Sequence, residues 1–156
     1  MSETRVVEAW TQKPLEDFVT ETGARLTLIM TPAGQVLAQY GFTRAVDVMA
    51  AAALGAAIFS STMEIARLLR EREFEALSHQ GARHGVFLGS FETRRGRLLA
   101  LVVYGSDATL GLVQLFFEEL VAGLAAASPE HVERRPVLAA DFERELNQSL
   151  SSLFGR

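Results

Sequence analysis

The three histidines are the side chains of this sequence with the widest chemical range, because histidine binds metals and exchanges protons near neutral pH. His79 and His84 flank Gly81, and His131 lies close to the C-terminus. A zinc site needs further ligands at characteristic spacing, but the chain has no cysteine and no carboxylate pattern that completes such a set. We therefore predict no metal site, and we interpret His79 and His84 as solvated residues of a turn.

A second group with chemical potential is the arginine cluster Arg94, Arg95 and Arg97, which falls in a predicted turn between two strands. One interpretation is a contact to an anion, including an arginine supplied to the nucleotide site of another protein. The other is a charged hairpin tip that keeps the loop soluble and hinders aggregation. We favour the charged tip and assign no catalytic arginine.

Motifs for nucleotide binding and hydrolysis are missing from the sequence. Lys13 is the only lysine, and Pro14 follows it, so no phosphate-binding loop ending in Gly-Lys-Ser/Thr is present. Neither the Gly-x-Ser-x-Gly nor the Gly-x-Gly-x-x-Gly pattern occurs. These observations predict a protein with no active site and no cofactor of its own.

Composition limits the class of protein further. A chain of 156 residues with 49% hydrophobic and 22% charged residues is long enough to close one globular core. The net charge of −4 argues against nucleic acid as a partner, because such proteins usually carry a basic surface. The absence of cysteine and the polar segment Met1–Val7 are compatible with a cytoplasmic protein, which is our expectation.

The elements that would hold these residues follow from the hydrophobic periodicity, which predicts the order α-β-β-α-β-β-β-α. Leu98–Tyr104 is apolar at every position, as in a central strand that is buried on both faces, so helices must cover both sides of the sheet. The natural cap of the following helix is Ser106 or Asp107. The other predicted segments are a helix from Pro14 to Gly23, strands Ala24–Thr31 and Gln35–Tyr40, a helix Val46–Arg70, and strands Phe74–Ser78 and Gly85–Glu92.

The first half of the long helix, Val48–Phe59, is apolar on every side. The run ends at Ser60, well short of the roughly 20 apolar residues of a membrane span, so we predict no membrane insertion. A helix apolar all round must be covered all round. We expect one side to lie on the sheet and the alanine-rich side to meet a second copy. The alternative, a helix buried within a monomer, ranks second because so small a domain has few layers.

A homodimer is therefore predicted, formed by this helix and by the exposed edge of the strand Phe74–Ser78, which would otherwise invite aggregation. The candidate contact residues are small or apolar side chains of these two elements. They are Ala52, Ala56, Ala57, Phe74, Ala76 and Leu77.

The C-terminal part, residues 128–156, is predicted to be a connector followed by an amphipathic helix. Ser128-Pro129 ends the preceding helix. Leu146, Leu150, Leu153 and Phe154 form an apolar stripe that either folds back on the domain or binds a partner. The predicted domain itself spans residues 13–127, and residues 1–12 are expected to be a flexible N-terminus.

The order of elements resembles that of the roadblock/dynein light chain family. Supporting features are the second helix with its alanines and glycine, the turn His79–Gly81, and the segment Asp107–Val113 that follows the strand Leu98–Tyr104. The resemblance covers about Leu15 to Ala127. Within the family the chain is most similar to bacterial members that regulate a Ras-like GTPase in cell polarity.

The resemblance implies an α/β fold with a five-stranded antiparallel sheet in the order 2-1-5-4-3 and helices on both faces. Two copies would pair through the third strand and the second helix, and the helices would form a platform for the partner. The function implied is that of a homodimeric regulator that binds the GTP form of a small Ras-like GTPase and stimulates hydrolysis.

The GTPase-facing candidates lie where the second helix turns polar, because polar side chains there can meet a partner without burying unpaired groups. They are Ser60, Ser61, Glu64, Arg67 and Glu71. Since the family also contains scaffolds, a non-catalytic adaptor that binds partners without changing any reaction is the alternative function. A small-molecule sensor is a third possibility, which no polar cluster in the predicted core supports.

Overall fold

The computed structural model describes residues 3–130 and 135–154, with side chains described up to Glu130 and from Glu143 onward. A short 3-10 turn, Ala9–Thr11, precedes the first helix. The strands are β1 Thr4–Val6, β2 Leu26–Met30, β3 Val36–Tyr40, β4 Ala76–Gln80, β5 Gly85–Thr93 and β6 Gly96–Tyr104. The helices are α1 Gln12–Thr22, α2 Ala45–Leu69, α3 Leu110–Ala127 and α4 Arg135–Leu153.

The strands form one antiparallel sheet in the order β1-β3-β2-β6-β5-β4. The predicted number of five strands was wrong, because the described chain has a sixth strand, β1, at the edge beside β3, so the full order differs from 2-1-5-4-3. The five predicted strands, now β2 to β6, keep their predicted order relative to one another. β1 pairs with β3 at one edge, with Val6 opposite Ala38. This part of residues 1–12 is therefore a strand rather than a flexible terminus, and Met1 and Ser2 lie outside the described residues.

Helices cover both faces of the sheet, as Leu98–Tyr104 predicted, and alternate residues of the central strands supply two cores. Ile29 packs with α1 and α3 on one face, whereas Leu28 and Met30 face α2 on the other. In β6, Val102 lies on the α1–α3 side and Leu99 on the α2 side. The α2 helix is thus held against the sheet by a small separate core, which leaves its opposite side outside the domain.

Two predicted positions shift in the structure. The third predicted strand, Phe74–Ser78, begins two residues later, so Phe74 lies in the connection before β4. The cap of α3 is Thr109, whose hydroxyl accepts a hydrogen bond from the Leu112 N–H at 3.2 Å, rather than Ser106 or Asp107. A threonine cap satisfies the same orphan donors of the first helical turn as serine or aspartate would, so residue type alone does not decide which position caps the helix.

The domain extends one residue past its predicted end, to Ser128. This serine is buried, its hydroxyl donates to the Ala125 carbonyl, and it accepts the Arg94 backbone N–H at 3.2 Å. Ser128 thereby joins the end of α3 to the β5–β6 turn. Among the described side chains, no buried member of either hydrophobic core follows Leu124.

A chain ending at Glu130 is therefore expected to unfold in one cooperative transition, with a midpoint within about 5 °C of the full chain. A chain ending at Leu124 should melt lower, because it also loses Ser128 and its contact with the β5–β6 turn. Thermal unfolding followed by circular dichroism distinguishes the two. Aggregation or non-cooperative melting of the longer truncation would show that α4 is part of the core.

Candidate interaction surface

The long helix α2 turns a narrow inner side toward the sheet. Val48, Ala52 and Ala66 are buried there. Gly55 brings the helix close, since an added Cβ would lie 2.4 Å from the Met30 Cε. Ala52, one of the predicted dimer contacts, is 2% exposed and belongs to the core of its own chain. The prediction for Ala52 is thus corrected, because this residue lies on the sheet-facing side of the helix.

The outer side of the first half of α2 is apolar and uncovered. Met49 is 72% exposed and Leu54 is 65% exposed. Val46 and Ala57 are also exposed, and around the helix axis they lie between the other two. Ala56 is half-buried on the flank of the helix near Gly34. A single chain therefore does not bury this helix on all sides, contrary to the second-ranked interpretation. Contiguous exposed apolar surface of this kind marks interaction sites.

The second half of α2 is polar on the same outer side. Ser60, Ser61, Glu64 and Arg67 are all exposed, and Arg67 Nη2 lies 2.7 Å from Glu64 Oε2 in an exposed ion pair. The helix therefore brings these four predicted residues together, next to the apolar first half.

Glu71, the fifth predicted residue, is not on the helix. The helix ends at Leu69, and Arg70 adopts a left-handed conformation with φ of 53°. Glu71 is exposed in the connection that follows. The predicted helix Val46–Arg70 was one residue too long at this end. Glu71 was therefore expected next to the helical turn that carries Arg67, whereas it lies beyond the end of the helix.

Sequence reasoning missed two exposed apolar residues on the outer side of this polar half; Leu69, 62% exposed, lies at the helix end on another side. Leu68 is 78% exposed and Ile65 is 51% exposed. Their spacing of three residues, on the side of the helix away from the buried Ala66, was the available signal. They add apolar side chains to the otherwise polar second half of the outer side of α2.

The edge strand β4 lies beside α2. In the described chain it pairs only with β5, and Ala76, Ser78 and His79 are exposed along it. Leu77 is half-buried, and Phe74, 38% exposed, borders a small gap that it shares with Phe59 of α2. We call the outer side of α2 together with the edge of β4 the α2–β4 surface. Five of the six predicted dimer residues border or lie on it; only Ala52 does not.

Two residues of the arginine cluster, Arg95 and Arg97, form ion pairs with other parts of the domain. Arg95 Nη2 lies 2.5 Å from Glu8 Oε1, and both side chains are largely buried. Arg97 forms ion pairs with Glu73 and Glu92, and these hydrogen bonds raise its pKa above the ordinary arginine value. The interpretation as a charged solvent-exposed tip was therefore wrong for Arg95 and Arg97, while Arg94 is exposed.

The histidines do not assemble a catalytic or metal site in the described residues. His84 Nε2 lies 3.1 Å from Arg25 Nη1, at the opposite end of the β4–β5 connection from the exposed His79. Among the side chains of residues 3–130 and 143–154, no three histidine, aspartate or glutamate side chains are grouped to hold a metal ion. His131 lies outside the described residues.

By length and composition alone, both α2 and α3 could cross a membrane. Each nevertheless has one side in a hydrophobic core of the domain, as core helices of globular proteins do. Charged residues, including Glu64 and Arg67, interrupt the second half of α2. The absence of membrane insertion stays a prediction.

The C-terminal helix α4 carries its predicted stripe on an uncovered side. Leu146 and Leu150 are 46% and 42% exposed, and Leu153 and Phe154 are each 78% exposed. The stripe is therefore available either to the domain or to a partner.

Comparison with known proteins places this geometry in context. The family model described as Roadblock/LC7 domain matches residues 11–103. The gliding protein MglB of Thermus thermophilus has a similar structure, with a TM-score of 0.65, 29% identity, and coverage of 76% of this chain and 87% of that one. An MglB with a tetrameric arrangement gives a TM-score of 0.65, 28% identity, and coverage of 80% and 96%.

Myxococcus xanthus MglB has a TM-score of 0.68 over 76% of this chain and 94% of its own, but at 21% identity it supports the fold alone. None of the curated proteins compared with this chain matches it.

Proposed function

The chain belongs to the Roadblock/LC7 domain family, and on this basis we propose that it regulates a small Ras-like GTPase. In this proposal the chain is a cytoplasmic homodimer, which binds the GTP-loaded form of the GTPase and stimulates its hydrolysis of GTP. The likeness to MglB structures at 28% and 29% identity suggests a GTPase-regulator role. The family is generally regulatory and non-enzymatic. The resemblance to this family and to its MglB-like members, predicted from the sequence, is confirmed.

The observation that carries the proposal is the α2–β4 surface. Its apolar first half exposes Met49, Leu54 and Ala57, and the edge of β4 next to it has unpaired backbone groups in the described chain. A two-fold axis through this surface would cover the apolar side of α2 with the same side of a second copy. It would also pair the edge strands and so remove an aggregation risk. In this dimer, Ala57 and the edge of β4 would make the contacts that were predicted from the sequence.

The GTPase is proposed to bind the polar second half of α2, where Ser60, Ser61, Glu64 and Arg67 are exposed beside the dimer contacts. These side chains offer hydroxyls and both signs of charge, which a polar interface rim can satisfy. Leu68, exposed on the same side, supplies the apolar contact that the rim would surround. Two copies would present two such segments, one on each side of the dimer axis.

Binding can be tested with the Ras-like GTPase encoded in the same genome, loaded either with a non-hydrolysable GTP analogue or with GDP. Titration calorimetry is expected to give at least about tenfold tighter binding to the analogue form, a preference of roughly 1.4 kcal/mol. Size-exclusion chromatography with light scattering then gives the stoichiometry. Equal affinity for both forms, or no complex, would contradict the proposal.

A non-catalytic adaptor is the second candidate function, because two arginines of the β5–β6 turn are held by ion pairs within the domain. Arg95 and Arg97 are engaged in ion pairs with Glu8, Glu73 and Glu92, so neither extends toward a partner. Since Arg94, the exposed member of the cluster, is also assigned no catalytic role, we propose that any stimulation acts by ordering the catalytic groups of the GTPase itself. A tight, nucleotide-dependent complex with an unchanged hydrolysis rate would identify the adaptor.

Replacing Arg94, Arg95 and Arg97 together with alanine is expected to reduce stimulation by less than about tenfold, whereas an arginine inserted at the phosphate is worth roughly 10³-fold or more. The variant should melt at a lower temperature, because it loses the ion pairs to Glu8 and Glu73. Rates are therefore compared well below its melting temperature. The single Arg94→Ala variant, which breaks no ion pair in the described chain, is the control. A loss of 10³-fold in the triple variant would contradict the account.

A further inference from the structure

A groove of about 840 Å³ lies between α1 and α3, on the opposite face of the sheet from the α2–β4 surface. Its walls are mainly apolar, with Trp10 and Pro14 on one side and Phe116 on the other. Small residues of α3, among them Gly123 and Ala126, also line the groove. The two helices approach closely here, since a Cβ added to Gly123 would lie 3.5 Å from the Pro14 Cβ.

The groove is open along its length, and its rim is charged. Lys13 on the rim is paired with Asp17 at 2.8 Å, and Glu21 and Glu119 are the other charged residues that line the groove. The rim thus carries more carboxylates than cations, while the walls remain apolar. A groove with this shape and lining suits the apolar side of a single helix, with the polar side of that helix facing solvent.

The chain itself supplies a helix with a matching stripe. The exposed Leu146, Leu150 and Leu153 of α4 recur at spacings of four and three residues, which places them on one side of the helix. Phe154 follows directly, and its backbone N–H bonds to the Leu150 carbonyl, so it continues the same stripe. Nothing in the described chain buries them. Four large apolar side chains on a tethered helix are stabilised if they find an apolar surface within reach.

The tether is long enough to bring α4 to the groove. Ala127 ends α3 at the groove, and α4 begins at Arg135. The eight intervening steps span at most about 26 Å when extended. Leu150 lies about 22 Å along α4, and the α3 wall from Phe116 to Ala127 is about 16 Å long. An antiparallel α4 that starts about 14 Å beyond the end of α3 would centre its stripe on the groove, well within the reach of the connector.

We propose that the groove between α1 and α3 is an intramolecular docking site for α4, with the stripe from Leu146 to Phe154 seated against Trp10, Phe116 and Ala126. The proposal chooses between the two fates that the sequence left open for this helix. It does not depend on the GTPase. Docked in this way, α4 would hide its stripe from other proteins and leave the α2–β4 surface free on the other face.

Trp10 makes the proposal measurable, because it is the only tryptophan of the chain and lines the groove. In the full-length chain, the double variant Leu146→Asp/Leu150→Asp should release α4. Trp10 emission should then shift to longer wavelength, and its acrylamide quenching constant should rise roughly twofold as the ring loses its cover. Ser152→Asp, about half a turn from Leu150 on the other side of the helix, is the matched control and should change neither quantity.

The groove side provides an independent variant. Ala126→Asp places a charge on an exposed residue of the groove, so it should release α4 without unfolding the domain. Ala122→Asp is the matched control, because Ala122 is exposed on the same helix and does not line the groove. Circular dichroism verifies that the domain is folded in each case. Emission and quenching that are identical in the natural chain, the α4 variant and the Ala126 variant would overturn the proposal.

A mixing experiment separates the intramolecular site from exchange between copies. The Leu146→Asp/Leu150→Asp chain is mixed with an excess of a Trp10→Phe chain, whose α4 is intact but which has no tryptophan. Emission that stays at long wavelength supports docking within one chain. Emission that returns to short wavelength shows that α4 of a second copy fills the groove, and overturns the intramolecular assignment.

Discussion

The Ala57→Asp variant is expected to be monomeric at concentrations at which the natural chain is a dimer. Ala57 is exposed in the single chain and lies on the side of α2 opposite the buried Val48 and Ala52. A carboxylate there is hydrated in the monomer, so the fold should be unaffected. In the proposed dimer it would be buried without a partner at a cost of about 3–5 kcal/mol, which weakens association by roughly 10²- to 10⁴-fold.

Light scattering across a dilution series measures this change. The natural chain should remain dimeric to low concentration, and the dissociation constant of the variant dimer should be at least about a hundredfold higher. Ala122→Asp, the same substitution at an exposed residue of α3 on the other face of the sheet, should leave the dimer intact. A natural chain that is still monomeric at high micromolar concentration would refute the homodimer outright.

The layered architecture could be predicted because the buried strands have an unmistakable pattern. Leu98–Tyr104 has no polar position, and the structure places this segment in β6, between β2 and β5 with helices on both faces. Gly23 was predicted to end the first helix, and it does so with a positive φ of 69°. Both signals are local and strong: the first is an unbroken apolar run and the second is a single glycine.

The side of α2 that faces the sheet could not be predicted from the sequence. Since Val48–Phe59 is apolar on every side, no amphipathic contrast distinguishes Ala52, which is buried, from Ala57, which is exposed. Only the tertiary contacts with Leu28 and Leu99 of the sheet decide which side faces inward. Dimer candidates chosen from composition alone therefore included one residue of the core.

The strand β1 was missed for a different reason. Thr4–Val6 is three residues long, too short to show alternation, and it is held by backbone pairing to β3. The intramolecular ion pairs of Arg95 and Arg97 were also invisible, because Glu8 and Glu73 are distant in sequence. Contacts of this kind depend on the fold and leave no local pattern.

Exchanging the charges of the exposed pair, Glu64→Arg with Arg67→Glu, is expected to reduce the affinity for the GTPase at least about tenfold. The exchanged residues can still pair at the same spacing, and an exposed ion pair contributes little to stability, so the fold should be unaffected. A partner complementary to the natural arrangement would then meet like charges at both positions. The concentration of this chain that gives half-maximal stimulation measures the loss.

Glu118→Arg provides the matched control, because Glu118 is exposed on α3, on the other face of the sheet. This control changes the net charge more than the exchange does, so long-range attraction alone would affect it more strongly. If the exchange and the control have equal effects, or if the exchange has none, the polar half of α2 does not contact the GTPase.

The most direct test is the rate of phosphate release by the Ras-like GTPase of the same genome, with and without this chain. The account predicts that the chain alone releases no phosphate, and that in stoichiometric amounts it raises the GTPase rate at least about tenfold. The exchange of Glu64 and Arg67 should suppress the increase, and the Glu118→Arg chain should retain it. An unchanged rate at concentrations where the two proteins form a complex would contradict the proposed stimulation and identify an adaptor instead.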